Sequence, residues 1–175
     1  MPIEQVQRGV ASDGHGIVLW VPTIADTTKP TVTELTGSGV KRLTYGLTTD
    51  GFTHETSIAK ITVGRFTLDQ ALELDGVITD TVEVRWVYNR TTPTDVETTL
   101  GEPGVEGNIV KIFGYPNDHV IDASTKINAI IPVTTSVPRD VPPTANSELV
   151  EVQTLNVRGK VRREHEIEVQ ASGGV

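Results

Sequence analysis

Asp80-Thr-Val-Glu-Val-Arg-Trp-Val-Tyr-Asn89 carries the clearest structural pattern in this chain. Successive side chains of a β-strand point to opposite faces, so a strand with one buried face alternates apolar and polar residues. The pattern therefore predicts a strand with one face on a core and the other towards solvent. On the core face we expect Val82, Val84, Trp86 and Tyr88, and on the opposite face Thr81, Glu83, Arg85 and Val87.

A second alternating stretch, Val40 to Leu47, predicts another half-buried strand. One side would carry Lys41, Leu43, Tyr45 and Leu47, and the other Val40, Arg42 and Thr44. Together, the two strands are expected to place in the core Leu43, Tyr45, Val82, Val84, Trp86 and Tyr88.

Shorter apolar runs between turn residues predict further strands at Ile17–Val21, Ile109–Phe113 and Ile127–Val133. Near the carboxyl end, Leu149–Val157 and Lys160–Val169 flank Arg158-Gly159, which indicates a hairpin.

Helical signals are sparse. Thr31 to Gly37 predicts one short helical turn that ends at Gly37. Thr67 to Gly76 fits either a capped helix or a strand face, and its β neighbours favour the strand.

The composition of the 175 residues agrees with a single, mainly β domain. Val and Thr are the two commonest residue types, and both are β-branched residues that suit strands. The absence of cysteine excludes disulfides, thiolate catalysis and cysteine-based zinc sites. The fold class predicted is an antiparallel β-sandwich or barrel with one short helix and long extended loops and arms.

The charge balance argues against a protein that grips nucleic acid. Fifteen Lys and Arg residues against 23 Asp and Glu residues give a net charge of −8. Tight binding to DNA phosphates requires a basic surface. An acidic wall could let DNA slide past without adhering, or the charge could serve only to keep the domain soluble.

Motifs of catalysis, cofactor binding and membrane insertion are missing from the sequence. It contains no phosphate-binding loop, no dinucleotide fingerprint and no nucleophile elbow. The four histidines are scattered and form no metal-ligand pair, so no catalytic residue, metal or cofactor is predicted. No apolar run is long enough for a signal peptide core or a membrane span, and we expect the protein to be made in a cytoplasm.

Several stretches, in order along the chain, resemble the major tail tube proteins of long-tailed, non-contractile bacteriophages, particularly those of actinobacteria. The opening resembles a recurring start of that family: Ser12-Asp-Gly-His-Gly-Ile-Val-Leu-Trp-Val-Pro-Thr-Ile-Ala-Asp26, then Lys29-Pro-Thr-Val-Thr-Glu-Leu-Thr-Gly37. Further similarities are Leu47-Thr-Thr-Asp-Gly-Phe52, Asp80–Asn89, Ala145-Asn-Ser-Glu-Leu149 and Gly159-Lys-Val-Arg-Arg163.

The resemblance implies a virion protein that assembles into stacked, homo-hexameric rings around a tape-measure protein. Other partners implied are tail initiator and terminator proteins, with double-stranded DNA passing non-specifically through the channel at ejection. One sheet of each subunit would join its neighbours into a barrel. For the channel lining we expect Arg42, Thr44, Thr81, Glu83 and Arg85. That family frequently has an immunoglobulin-like domain after the core, and we expect none within residues 1–175.

We expect a single domain over residues 1–175, with these parts along the chain: an N-terminal strand and arm (1–38), a core (39–135) with an inter-ring loop at about 48–78, a proline-rich arm (136–147), a C-terminal hairpin (148–170) and a flexible tail (171–175). The remaining alternatives are a related ring protein, such as a tail terminator or a secretion-system tube, and a monomeric β-sandwich binding module.

Overall fold

The computed structural model describes residues 8–67 and 69–171. Its helices are α1 (Val32–Thr36) and α2 (Asp95–Leu100), with 3-10 turns at Leu43–Gly46 and Glu164–Glu166. Its strands are β1 (Gly16–Val21), β2 (Lys41–Arg42), β3 (Leu47–Val63), β4 (Leu72–Val87), β5 (Glu106–Phe113), β6 (Ala129–Thr134), β7 (Arg139–Asp140), β8 (Val150–Val157) and β9 (Arg162–Arg163).

All pairings between these strands are antiparallel, in the order β2-β1-β5-β6-β8-β4-β3, with β7 added to β8 and β9 to β6. Strand β8 joins the two halves of this continuous sheet. Its residues 150–155 pair with β4, whereas Asn156 and Val157 pair with Thr134 and Val133 of β6. The fold is therefore mainly β, as predicted from the composition and the alternation.

Two apolar clusters lie on opposite faces of the β1-β5-β6 sheet. The first is formed with β4, β8 and α2 and contains Trp20, Trp86 and Leu100. The second contains Leu19, Leu35 of α1 and Val169. Since both faces of β1 are covered, its sequence is a continuous apolar run, Ile17 to Val21, rather than an alternating one.

Helix α1 begins at the predicted turn because Thr31 and Glu34 form a capping box. The Glu34 amide donates to Thr31 Oγ1 at 3.2 Å, and the Thr31 amide donates to Glu34 Oε2 at 2.8 Å. Helix α2 was not predicted. It follows the same Thr-x-x-Glu spacing, with Thr94 as N-cap for the Glu97 amide, so the signal was present in the sequence.

The strand predicted over Val40–Leu47 is wrong. Only Lys41 and Arg42 are extended, and residues 43–46 form a 3-10 turn before β3 begins at Leu47. Leu43 is fully buried, but Tyr45 is 69% exposed and so is not a core residue. A tight helical turn does not place alternate side chains on one face, which is why the alternating pattern misled here.

The predicted C-terminal hairpin is also wrong. Beyond Gly159 the chain does not fold back onto β8, and Arg162 and Arg163 pair with β6 instead. They continue along the strand that already holds the end of β8, since Val157 pairs with β6 and the Arg158 amide donates to Pro132 O at 3.0 Å. Further along, Val169 packs into the second apolar cluster.

The segment predicted as a loop at 48–78 is a long antiparallel hairpin made by β3 and β4. The proline-rich arm at 136–147 is partly folded back, because Arg139 and Asp140 pair with Val152 and Glu151 of β8. Residues 172–175 of the predicted tail lie outside the described residues. Neither helix in the described ranges has the length and apolarity needed to cross a membrane.

Gly107 of β5 tests the packing of the core. A Cβ at this position would overlap the indole ring of Trp20, which is 3% exposed and cannot move aside. We expect Gly107→Ala to lower the free energy of unfolding by about 1–3 kcal/mol, measured by denaturant titration. Gly9→Ala is the control, because a Cβ at Gly9 would meet no atom within 4 Å. Equal stability of the two variants would contradict the overlap.

Candidate assembly surface

Strands β3, β4, β8 and β7 form a sheet with one face on the core and one open face, which we call the polar face. Val82, Val84 and Trp86 lie on the core side and are fully buried. Tyr88, predicted as a core residue with them, is not one, because β4 ends at Val87 and Tyr88 is only partly buried beyond it. Cross-strand register places on the opposite side Thr53 beside Glu83, Glu83 beside Thr154, and Glu55 beside Thr81. Polar side chains therefore extend across neighbouring strands of one continuous surface.

Arg85 on the polar face is paired with carboxylates. Arg85 Nη1 lies 3.2 Å from Asp50 Oδ2, and Arg85 Nε lies 3.2 Å from Glu83 Oε1. Glu55 on the adjacent strand has no ion-pair partner among the described residues. The surface is thus polar, and Arg85 is held by two acids. Register through Val152 places Arg139 of β7 on the same side, and Arg139 has no ion-pair partner in the part of the chain that the structure describes.

The structure does not bring all five predicted channel residues together. Thr81, Glu83 and Arg85 share the polar face, whereas Arg42 and Thr44 lie beside β1. The Arg42 guanidinium donates to Asn117 O at 2.6 Å and to His119 O at 3.0 Å, while Thr44 Oγ1 accepts from the Val18 amide at 2.9 Å. These two side chains hold loops to the core.

Beyond the core, β3 and β4 continue as an exposed two-stranded ribbon, which we call the outer hairpin (residues 56–67 and 69–79). Most of its residues are exposed. Large apolar side chains are among them, with Leu74 58% exposed and Val77 74% exposed. An isolated two-stranded ribbon is marginally stable in water, and exposed apolar surface of this kind marks an interaction site.

A β-bulge moves the apolar residues of the outer hairpin from one face to the other. Ile58 pairs with Ile78 on the core side of the ribbon, and Lys60 pairs with Asp75. Between these pairs β4 has two residues, Gly76 and Val77, opposite Ala59 alone. Past the bulge the aliphatic pairs lie on the side of the polar face: Ile61 with Leu74, and Val63 with Leu72.

An ionic network fixes the base of the outer hairpin to β9. Asp80 accepts hydrogen bonds from Thr56 Oγ1 at 2.6 Å and from Arg163 Nη2 at 3.0 Å. Its Oδ1 also lies 3.0 Å from His54 Nε2, and both the His54 and Asp80 side chains are almost completely buried. The network therefore joins both strands of the hairpin to the segment that pairs with β6.

Burial and charge set the titration of this network. Burial lowers the pKa of His54, although the hydrogen bond to Asp80 opposes that shift. Burial by itself would raise the pKa of Asp80, but hydrogen bonds from Thr56 and His54 and the charge of Arg163 outweigh it and lower the pKa. Burial, with Arg163 nearby, also lowers the pKa of Lys111.

A sequence profile of the phage tail tube protein family matches residues 4–168. The chain belongs to this family, whose members are structural proteins of the phage tail and not enzymes. No curated protein matches the chain. In the described ranges, no group of three or more His, Asp or Glu side chains is placed to hold a metal ion.

Solved structures that match this chain come from a tail-like particle. One is the tube-terminating cap of the anti-feeding prophage, with a TM-score of 0.51 and 12% identity over 92% of this chain and 95% of that chain. Another is from the 6-fold symmetrised baseplate of the same kind of particle, with a TM-score of 0.49 and 8% identity over 90% of this chain and 98% of that chain.

Sequence reasoning missed the residues that make the outer hairpin an exposed surface. The aliphatic pairs Ile61–Leu74 and Val63–Leu72 are separated from the core pattern by the bulge, so they did not extend the alternation of Asp80–Asn89. Gly76 was the available signal, because an isolated glycine within a strand pattern often marks a bulge. Asp80, His54 and Arg163 are distant in sequence, and no local pattern joins them.

The His54–Asp80 network predicts a loss of stability in acid. Because the pKa of His54 is lower in the folded protein than in the unfolded chain, the unfolded chain takes up the proton at a higher pH. The contribution of His54 to the free energy of unfolding is therefore fully present above pH 6.5 and falls as the pH decreases below it. Asp80 adds a further loss below about pH 3.8, its ordinary pKa. Unfolding free energies measured from pH 7.5 to 5 should fall in the wild type and stay flatter in His54→Gln.

The matched control is His165→Gln, which removes an exposed histidine outside the network and leaves His54 in place. This variant should keep the pH dependence of the wild type. An unchanged slope in His54→Gln would show that the network does not govern acid stability.

Proposed function

We propose that this chain polymerises into stacked hexameric rings that form the tube of a phage tail, through which double-stranded DNA passes at ejection. The family match supports the tail-tube role. The observation that carries polymerisation is the outer hairpin, whose aliphatic side chains have no covering layer in the described part of one chain. Other copies of the chain would provide that layer.

Lateral assembly would use the edges of the β3-β4-β8-β7 sheet. Strand β3 is an edge strand of 17 residues, and an edge of that length presents many unpaired backbone groups. Short β7 occupies the other side of β8. Closure of six such sheets into one barrel would pair these edges and place the polar face on the channel.

Axial assembly would use the outer hairpin as the inter-ring element. From Asp80 to Leu72, β4 extends about 26 Å past the core at ~3.3 Å per residue. That projection can reach a neighbouring ring. The implied tape-measure protein would occupy the channel during assembly, with initiator and terminator proteins at the two ends, and the finished tube would be part of the virion after assembly in the host cytoplasm.

Electron microscopy of the purified protein tests polymerisation directly. Tubes or stacked rings are expected, whereas a uniform population of monomers of about 19 kDa would end the proposal. Single rings that never stack would favour the terminator-like alternative.

Leu74→Asp tests whether the aliphatic face of the outer hairpin is buried in the tube. Leu74 is 58% exposed in the single chain, so its replacement should change monomer stability by less than about 0.5 kcal/mol. Assembly should be lost, because an unpaired carboxylate would be buried at the contact. Sedimentation and electron microscopy measure assembly, and thermal unfolding measures the fold.

Thr62→Asp is the matched control, because Thr62 lies on the same ribbon but on its opposite face, paired with Glu73. It should still form tubes. Normal tubes from Leu74→Asp would show that the aliphatic face of the outer hairpin is not part of the contact between copies.

Glu83→Lys tests the channel wall. This change reverses a charge on the polar face and leaves Arg85 its second acid, Asp50, at 3.2 Å. A cation in the channel would attract DNA phosphates, so DNA passage or tube assembly should be impaired. Wild-type infectivity and tube length in phage carrying the variant would show that Glu83 does not line the channel.

A further inference from the structure

A groove lies at the end of the β3-β4-β8-β7 sheet that is opposite to the outer hairpin. It has a volume of about 310 Å³ and lies between the proline-rich arm and the start of β8. We call it the end groove. Its floor is fixed by backbone hydrogen bonds, from the Tyr88 amide to Leu149 O and from the Val141 amide to Val150 O, both 2.9 Å long. Its lining is Tyr88, Asp140, Val141, Pro143, Leu149 and Glu151.

The end groove combines apolar walls with uncompensated negative charge. Glu151 accepts a hydrogen bond from Trp86 Nε1 at 3.0 Å, and burial raises its pKa, with Glu97 and Asp140 adding to the rise. No ion pair joins these three carboxylates to a cation in the ranges 8–67 and 69–171. Glu97 also has a buried oxygen, Oε2, without a hydrogen-bond partner there. Such a site favours a cationic side chain beside an apolar one.

The turn of the outer hairpin carries the complementary pair of side chains. Phe66 is completely exposed. Its neighbour Arg65 donates from Nη1 to the backbone oxygen of Gly64 at 2.9 Å, and it has no carboxylate partner within the described structure. An exposed phenylalanine beside an unpaired arginine is typical of residues that anchor protein interfaces.

One chain cannot bring these two features together. The turn follows β3 at Val63 and precedes β4 at Leu72, whereas the end groove lies at Tyr88, just past the other end of β4. The 16 residues of β4 span about 50 Å at ~3.3 Å per residue. A contact between a feature at one end and a feature at the other is head-to-tail, and repetition of such a contact builds a linear stack.

We propose that Phe66 of one copy inserts into the end groove of a copy in the next ring, with Arg65 against Asp140 and Glu151. This proposal rests on the proposed function and names the surface that receives the inter-ring hairpin. A phenylalanine side chain buries a large apolar area when it anchors a contact, roughly 150–250 Å². The occupant is a second copy because the charge and apolar character of the turn match those of the groove.

Disulfide trapping between two single-cysteine variants tests the contact, since the natural chain has no cysteine. Phe66→Cys and Leu149→Cys chains are mixed, allowed to polymerise and oxidised, so that any cross-link must join two copies. A cross-linked dimer containing both variants is expected. The control mixes Phe66→Cys with Val120→Cys, a position 77% exposed and outside the groove, and should give at least about tenfold less dimer.

Charge exchange gives a second readout. Arg65→Glu should yield rings without stacks, and Arg65→Glu with Asp140→Arg in the same chain should restore tubes. Lys126→Glu makes the same charge change on an exposed loop and should polymerise normally.

The outcomes separate the two proposals. If the wild type forms tubes but the Phe66–Leu149 cross-link is no stronger than the control and Arg65→Glu tubes are normal, the groove contact is wrong and the tail-tube function stands. If the wild type forms neither rings nor tubes and no cross-link, both proposals are overturned.

Discussion

The apolar side chains of β4 are buried in one half of the strand and exposed in the other, and the rest of the structure depends on this division. Val82, Val84 and Trp86 lie between two layers and are fully buried. Beyond Asp80 the same strand has only β3 beside it and no layer above or below among the described residues. Two strands alone bury too little apolar area to offset the entropy of ordering them. The outer hairpin therefore obtains its stability from the core at its base and from whatever covers its aliphatic residues.

The attachment at the base is ionic rather than apolar. Asp80 lies where the buried part of β4 ends, and it gathers Thr56, His54 and Arg163 around one carboxylate. A buried carboxylate that lost these donors would be strongly unfavourable, so the network fixes where the ribbon leaves the core. The double-sided core can thus fold within one chain while the ribbon is held out from it in a defined direction.

The sequence predicted the parts of the fold in which local periodicity and burial agree. Val82, Val84 and Trp86 alternate because one face of β4 is buried, and Thr31 with Glu34 caps α1 through contacts three residues apart. The prediction failed where the same local pattern is compatible with two different structures. Leu43 and Tyr45 alternate as in a strand, but a 3-10 turn buries the first and exposes the second. The partner of β9 depends on long-range pairing with β6, which no local spacing encodes.

The candidate surface could be predicted from the sequence only in part. Thr81, Glu83 and Arg85 follow from the period of two, whereas Thr53, Glu55 and Thr154 join them only through register. Arg42 and Thr44 were assigned to the same face through the mistaken strand. They bind loop carbonyls and the β1 backbone instead, because the chain there turns towards residues 117–119.

The bulge at Gly76 and Val77 restricts how a hairpin of this type can change length. Loss or gain of a single residue in one strand beyond the core would turn the later residues of that strand to the other side, so that either Ile61 or Leu74 would point towards the side that now carries Lys60 and Asp75. Gain or loss of matched pairs of residues in both strands would keep the sides in place. Spacing between successive subunits, if set by this ribbon, would therefore vary among relatives in discrete increments of two residues per strand, about 6–7 Å each.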